Sequence, residues 1–282
     1  KEIMILFIVG QGSNGKSVLF ELHKKAIGDQ DSVKLPLSFI TSSTDMAGEG
    51  PTPVLLMLKH ARLAYFSESD ENQTVSLRKI KEITGGENLS GRGHHKDQEN
   101  FKPKCHYVCL SNNDFVISST DHGTWRRIKY VRMKKTFRLP HEKIEDPEYE
   151  VVADPYLQRE MEENNAIVEA YLSILTYFWF SLYKNYNGKL ENIPHPNIKI
   201  STENFRNKED ILNTFINQSF VKILAKEDEK HEFDMNEAVA KYARWASLYH
   251  GQKNLKHNYI MELFNKSKIQ KYIKRTPQNT FK

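Results

Sequence analysis

The sequence predicts an α/β fold followed by a smaller, mainly helical domain, and three observations carry that prediction. Short, β-rich apolar runs recur at 3–9, 62–67, 106–111 and 128–133. The segments between them are long enough for crossover helices, the pattern of a parallel sheet flanked by helices. From residue 166 onward the apolar period becomes helical, at 166–185, 208–226, 236–248 and 259–265.

Taken in order, the first strand runs directly into "GQGSNGKS", residues 10–17. A loop rich in Ser, Thr, Gly and Pro at 35–53 and a helical pattern at 75–84 separate the next strands. Nine carboxylates between Glu142 and Glu163 read as an acidic linker and the start of a helical region. The expected domains are therefore a core at 1–140, the linker and helical region at 141–200, and a helical or winged-helix-like domain at 201–282. The apolar stretch 166–183 carries Glu169, Ser173, Thr176 and Ser181, so a buried core helix is expected there rather than a membrane span.

With 282 residues, 39% hydrophobic and 27% charged, the composition is that of a soluble globular chain. The two cysteines, Cys105 and Cys109, are four apart on an expected strand and too distant to bridge. A reducing compartment follows. Lys1 leads into the first strand without a secretory leader, which suggests a piece of something longer. Residues 1–140 hold 21 Lys and Arg against 15 Asp and Glu, and the last thirty residues hold eight bases and one acid. Basic surfaces in both halves suggest a polyanionic partner.

Gly10-x-x-x-x-Gly15-Lys16-Ser17 fits the phosphate-binding P-loop pattern. Glycines let the backbone amides of Gly10, Gln11, Gly12, Ser13, Asn14, Gly15, Lys16, Ser17 and Val18 curl round an anion; the lysine adds a point charge and the serine hydroxyl holds Mg²⁺. The cofactors expected are ATP and Mg²⁺. Ordinary glycine, lysine and serine frequencies produce such a match by chance in roughly one chain in a hundred of this length, and the strand before it and helix after it lower that further.

A P-loop needs a carboxylate on a neighbouring strand to hold the metal or polarise water. "ARLAYFSESDEN" supplies Glu68 and Asp70 at a strand exit, and which of them is the base stays open. "CHYVCLSNN" places Asn112 and Asn113 just past another strand, where an amide can orient attacking water. "DHGTWRRIKYV" places Arg126 and Arg127 before the last strand, where a guanidinium can reach a neighbouring subunit's nucleotide.

The ordered series GQGSNGKS, ARLAYFSESDEN, KIKEITGGENLSGR, CHYVCLSNN and DHGTWRRI resembles the motif set of superfamily 3 helicases. The form is that found in primase-helicases of poxviruses, asfarviruses and related large DNA viruses. The match covers about residues 3–133; the helical remainder resembles the tail of the same proteins less specifically. The resemblance implies an AAA+-like core that hydrolyses Mg-ATP at subunit interfaces to move along DNA. In that reading Lys16 contacts the β- and γ-phosphates, Ser17 holds Mg²⁺ with Glu68 and Asp70, Asn112 senses the γ-phosphate, and Arg127, or alternatively Arg126, acts in trans. Phe115 stands where the family commonly has proline. Arg92, His94, His95 and Lys96 fall in a stretch that forms a DNA-gripping hairpin in the family. The partners implied are single-stranded and forked DNA, a homo-hexamer, and an upstream primase domain, without a membrane, in the cytoplasm or nucleus of a host cell.

Two other readings use the same residues. A P-loop kinase explains residues 10–17 but not Asn112 or the basic loop, and a non-enzymatic nucleic-acid module leaves the P-loop idle. Zinc binding by His94, His95, Cys105, His106 and Cys109 is disfavoured, since strand alternation puts His106 opposite the cysteines and no CxxC pair is present.

Overall fold

The structure is a computed structural model. It describes residues 4–41, 52–67, 73–93, 97–117, 122–189, 193, 195–219, 233–250, 255–267 and 280–281. The first half contains β1 (Ile5–Val9), α1 (Lys16–Ile27), β2 (Ser32–Leu35), α2 (Ser38–Thr41), α3 (Pro53–Leu56), β3 (Leu63–Ser67), α4 (Leu77–Thr84), β4 (Leu89–Arg92), β5 (Gln98–Phe101), β6 (His106–Ser111), α5 (His122–Trp125) and β7 (Ile128–Arg132). There follow β8 (Thr136–Arg138), β9 (Glu150–Val152), α6 (Leu157–Glu163), α7 (Asn165–Tyr186), α8 (Pro196–Glu209), α9 (Ile211–Ser219), β10 (Phe233–Asp234), α10 (Met235–His250), α11 (His257–Lys266) and β11 (Thr280–Phe281).

Five strands form one sheet in the order β2-β3-β6-β1-β7, and every pairing is parallel. This is the helix-flanked parallel sheet expected of an AAA+-like core. All five strands point the same way, so the chain reversals, and any groups they carry, collect at the two strand ends. One face of the sheet is fully buried: Ile5, Phe7 and Val9 on β1, Phe66 on β3, and Tyr107 and Cys109 on β6. On that side the ring of Phe115 meets Phe7 edge-on at 5.2 Å. The residue that departs from the family's proline is thus a core residue. The other face is half covered, with Phe20 of α1 packed on Tyr65 at 4.8 Å between ring centres.

The chain divides into two compact units, residues 1–117 with 121–203, and residues 118–120 with 204–282. In the second, Leu212, Phe215, Met235, Val239, Tyr242, Ile260 and Phe264 form a separate buried cluster. The helical pattern at 208–226 is interrupted: Asp210 closes α8 by donating its N–H to Arg206 O and opens α9 by accepting from Thr214 N. The acidic stretch after residue 141 carries β9 and α6, whose nonpolar residues are too sparse to show a period.

The expectation of a buried core helix at 166–183 is overturned. Only Leu182 of α7 is buried. Tyr177, Phe178, Trp179 and Phe180 are all more than half exposed. One end of the helix rests on α1, through Tyr171 and His23. By length and composition alone α7 is long and apolar enough to cross a membrane. An apolar run reports that a face needs covering; it does not say that this unit supplies the cover.

Candidate active site

The site is built at the carboxyl ends of β1, β3 and β6. Val9 lies opposite Ser111 on one side and Arg132 on the other, and Ser67, the end of β3, lies opposite Leu110. Gly10 N donates to Ser111 O at 3.1 Å and Met133 N to Val9 O at 2.7 Å, so the loop after β1 leaves the sheet locked to both neighbours. Residues 10–15 then turn back at once into α1.

The sequence of the loop follows from its crowding. A Cβ on Gly10 would lie 2.0 Å from Asn14 Nδ2 and 3.0 Å from Met133 O, so a larger residue there would have to displace the Asn14 side chain. Gly15, with φ of 76°, occupies the left-handed region that favours glycine. Ser13 is also left-handed, at φ 58°. The first turn of α1 contains no acidic side chain, which leaves its amide-rich end suited to an anion.

Lys16 is buried in this cradle. Its ammonium donates to Gly10 O, to Asn14 Oδ1 at 2.9 Å and to Asn112 Oδ1 at 3.1 Å. Burial holds its pKa below the ordinary lysine value. Asn14 Nδ2 is buried beside it with no hydrogen-bond partner among the described residues. A buried cation and an unsatisfied donor, ringed by backbone amides, fit a phosphate group; the exposed Ser17 hydroxyl, one residue on, fits its metal.

Asn112 is delivered by β6, 96 residues from Lys16. Ser111 fixes the turn that follows: its hydroxyl donates to Asn113 O and accepts from Asn113 N at 3.0 Å. Asn113 is therefore tied into the turn through its backbone, while the Asn112 amide faces Lys16. Asp114 accepts from Tyr130 Oη and from Arg132, tying the turn to β7. Burial and the Asp114 bond raise the Tyr130 pKa.

The paired arginines differ. Arg127 donates to Gly123 O, and its Nε is buried with no partner among the described residues. Arg126 is exposed. Glu68, Asp70, His94, His95 and Lys96 lie outside the described residues.

Residues 8–127 match a family described as one of unknown function, DUF5906. The chain is 33% identical over 291 aligned positions to the putative primase C962R of African swine fever virus, strain Badajoz 1971 Vero-adapted, spanning 99% of this chain and 28% of that protein. It is 24% identical to the putative helicase 022R of Frog virus 3, over 86% of this chain and 24% of the relative. These relatives are viral proteins named as putative primases and putative helicases. Several of these relatives carry the name putative helicase, and the chain spans just over a quarter of the length of the first relatives it matches, 28%. A solved structure, the apo C-terminal region of NrS-1, aligns over 100% of this chain and 66% of its own, at 14% identity and a TM-score of 0.46.

The stretch expected to form a hairpin does so: β4 pairs antiparallel with β5, Arg92 opposite Gln98. Arg92 is exposed on the hairpin, and its backbone is fixed to Thr52 by two bonds, Thr52 N to Arg92 O at 2.7 Å and Arg92 N to Thr52 Oγ1 at 2.9 Å. One residue at the site carried no motif signal. Phe137 of β8 donates its N–H to Ser13 O at 2.6 Å, and its ring lies against Gly15, 3.1 Å from where a Cβ would stand. A single Phe between Thr136 and Arg138, in a basic stretch, has no pattern by which sequence reasoning could single it out.

Proposed function

We propose that this chain is the motor region of an ATP-dependent DNA helicase of the superfamily 3 class. The observation that carries this reading is the 3.1 Å bond from Lys16 Nζ to Asn112 Oδ1, which unites a P-loop cation with a polar amide from the neighbouring strand. A kinase reading of the loop assigns that amide no task.

In the proposed cycle, the amides of residues 13–17 and the Lys16 ammonium hold the β- and γ-phosphates, and Lys16 exchanges its bonds to Asn14 and Asn112 for phosphate oxygens. The Asn112 amide, released from Lys16, orients water beside the γ-phosphate. Ser17, with Glu68 and Asp70, would hold Mg²⁺, which would supply positive charge to offset that of the phosphates. Arg126 is the better candidate to act on a neighbouring subunit's nucleotide, because it is exposed while Arg127 is turned back on Gly123. The β4–β5 hairpin, with Arg92 and the His94–Lys96 stretch, contacts the phosphates of single-stranded DNA, which carry no sequence information. A hexameric ring and an upstream primase region in the same polypeptide complete the proposal.

The test is ATP turnover with and without single-stranded DNA. Wild type is expected to be stimulated by DNA and Lys16→Ala to be inactive. Asn112→Ala should lose on the order of a hundredfold in kcat, the usual effect of removing one positioned polar group at a reacting centre. Mixing Lys16→Ala with Arg126→Ala should restore part of the activity. Turnover indifferent to DNA, with phosphate passed to a small acceptor, would replace the motor with a phosphotransferase.

A further inference from the structure

The P-loop holds two left-handed residues, and one of them, Ser13, is not glycine. Such a residue is strained and persists only where its surroundings over-determine it. Asn14 and Lys16 hold the loop from inside. From outside, contact comes from Phe137: its N–H bonds Ser13 O, and its ring edge lies on Gly15. Both left-handed positions are thus contacted by one residue.

Phe137 is itself anchored. Thr136 N donates to Tyr149 O at 2.7 Å and Ala153 N to Arg138 O at 2.6 Å, on either side of it. Arg138 pairs with Glu150 through Nε at 2.8 Å. The other Glu150 oxygen accepts from Glu145 N at 2.7 Å and Asp146 N at 3.2 Å. A continuous set of bonds therefore runs from the acidic stretch, through the parallel β8–β9 pair, to the crest of the P-loop. Phe137 is 40% exposed, so filling a core does not account for its placement.

We infer that Phe137, braced by β9 and Glu150, is a positioning residue for nucleotide: it keeps the Ser13–Lys16 amides convergent before a triphosphate arrives. Resting on the nucleotide reading of the loop, the inference assigns the acidic segment the task of preorganising that site. Preorganisation raises affinity by removing the cost of ordering the loop on binding, so it acts on nucleotide affinity and KM more than on kcat.

Mg-ATP binding to the 282-residue chain is measured by titration calorimetry, with steady-state turnover and thermal unfolding recorded for the same samples. Phe137→Ala is expected to weaken binding and raise KM about tenfold, which is 1.4 kcal/mol, with kcat at saturation nearly unchanged. Both variants keep the backbone N–H that bonds Ser13 O, so they test the ring contact; Phe137→Leu, which retains an apolar side chain there, should recover most of that affinity, and it also serves as the main variant if the alanine form does not fold, with a loss of roughly threefold expected. Amide exchange across residues 12–16 in the nucleotide-free variant should quicken. If wild type binds Mg-ATP and Phe137→Ala binds it equally well, or if affinity falls only in proportion to unfolding, the inference is overturned while the nucleotide reading stands. If wild type does not bind Mg-ATP, both fall.

Discussion

β1 and α7 are among the most apolar segments of the chain, and the fold treats them in opposite ways. β1 sits between β6 and β7 with Ile5, Phe7 and Val9 fully buried, whereas α7 rests one end on α1 and leaves Tyr177 71% and Phe180 68% exposed. Hydropathy alone does not separate them. The difference lies in partners: a central strand is enclosed by the ladders it must make on both sides, while a helix satisfies its own backbone and need cover only one stripe.

The comparison can be broken most directly at Phe7. Phe7→Ala should destabilise the chain by about 3–5 kcal/mol in denaturant unfolding, as for other fully buried phenylalanines. A loss under 1 kcal/mol would mean that the sheet's closed face is looser than its packing against Phe115 indicates.

A smaller effect is expected where β1's loop is held from outside. Hydrogen bonds from Arg138 and from the backbone N–H groups of Glu145 and Asp146 hold the Glu150 carboxyl below the ordinary glutamate range near 4.5. With a depressed folded-state pKa, its contribution is fully present above the unfolded value and is lost as pH falls through the lowered one. Glu150→Gln should therefore lower the melting temperature by a constant amount between about pH 5.5 and 7, and the gap to wild type should close in stronger acid. A gap that widens in acid would show that Glu150 is not held as an anion.

The smallest effect belongs to α7. Phe180→Ala should change unfolding free energy by no more than about 0.5 kcal/mol, since the side chain is mostly in solvent. A cost comparable to that of Phe7→Ala would show that α7 is covered in solution and would erase the contrast with β1.

Much of the sheet and the glycine-rich loop after β1 was legible in the sequence because their signals are local. β1, β3, β6 and β7 appear as short β-rich runs, and Gly10, Gly15, Lys16 and Ser17 form a spaced pattern whose geometry can be stated from the backbone alone. β2, β8 and β9 are three or four residues long, too short for alternation to stand out. The different settings of the two arginines were illegible for another reason: Arg126 and Arg127 are chemically identical neighbours, and only the structure shows Arg127 bonded to Gly123 O and Arg126 exposed.

By itself the sequence determined where the P-loop pattern lies and in what order the longer strands and helices follow, because backbone conformation and hydrophobic period are properties of a few consecutive residues. Tertiary structure decided that Asn112 meets Lys16 across 96 positions, that Phe137 braces Ser13 and Gly15, and that α7 stays uncovered in its unit. Those outcomes depend on which distant groups the parallel ladder brings to one edge, and no local signal encodes them.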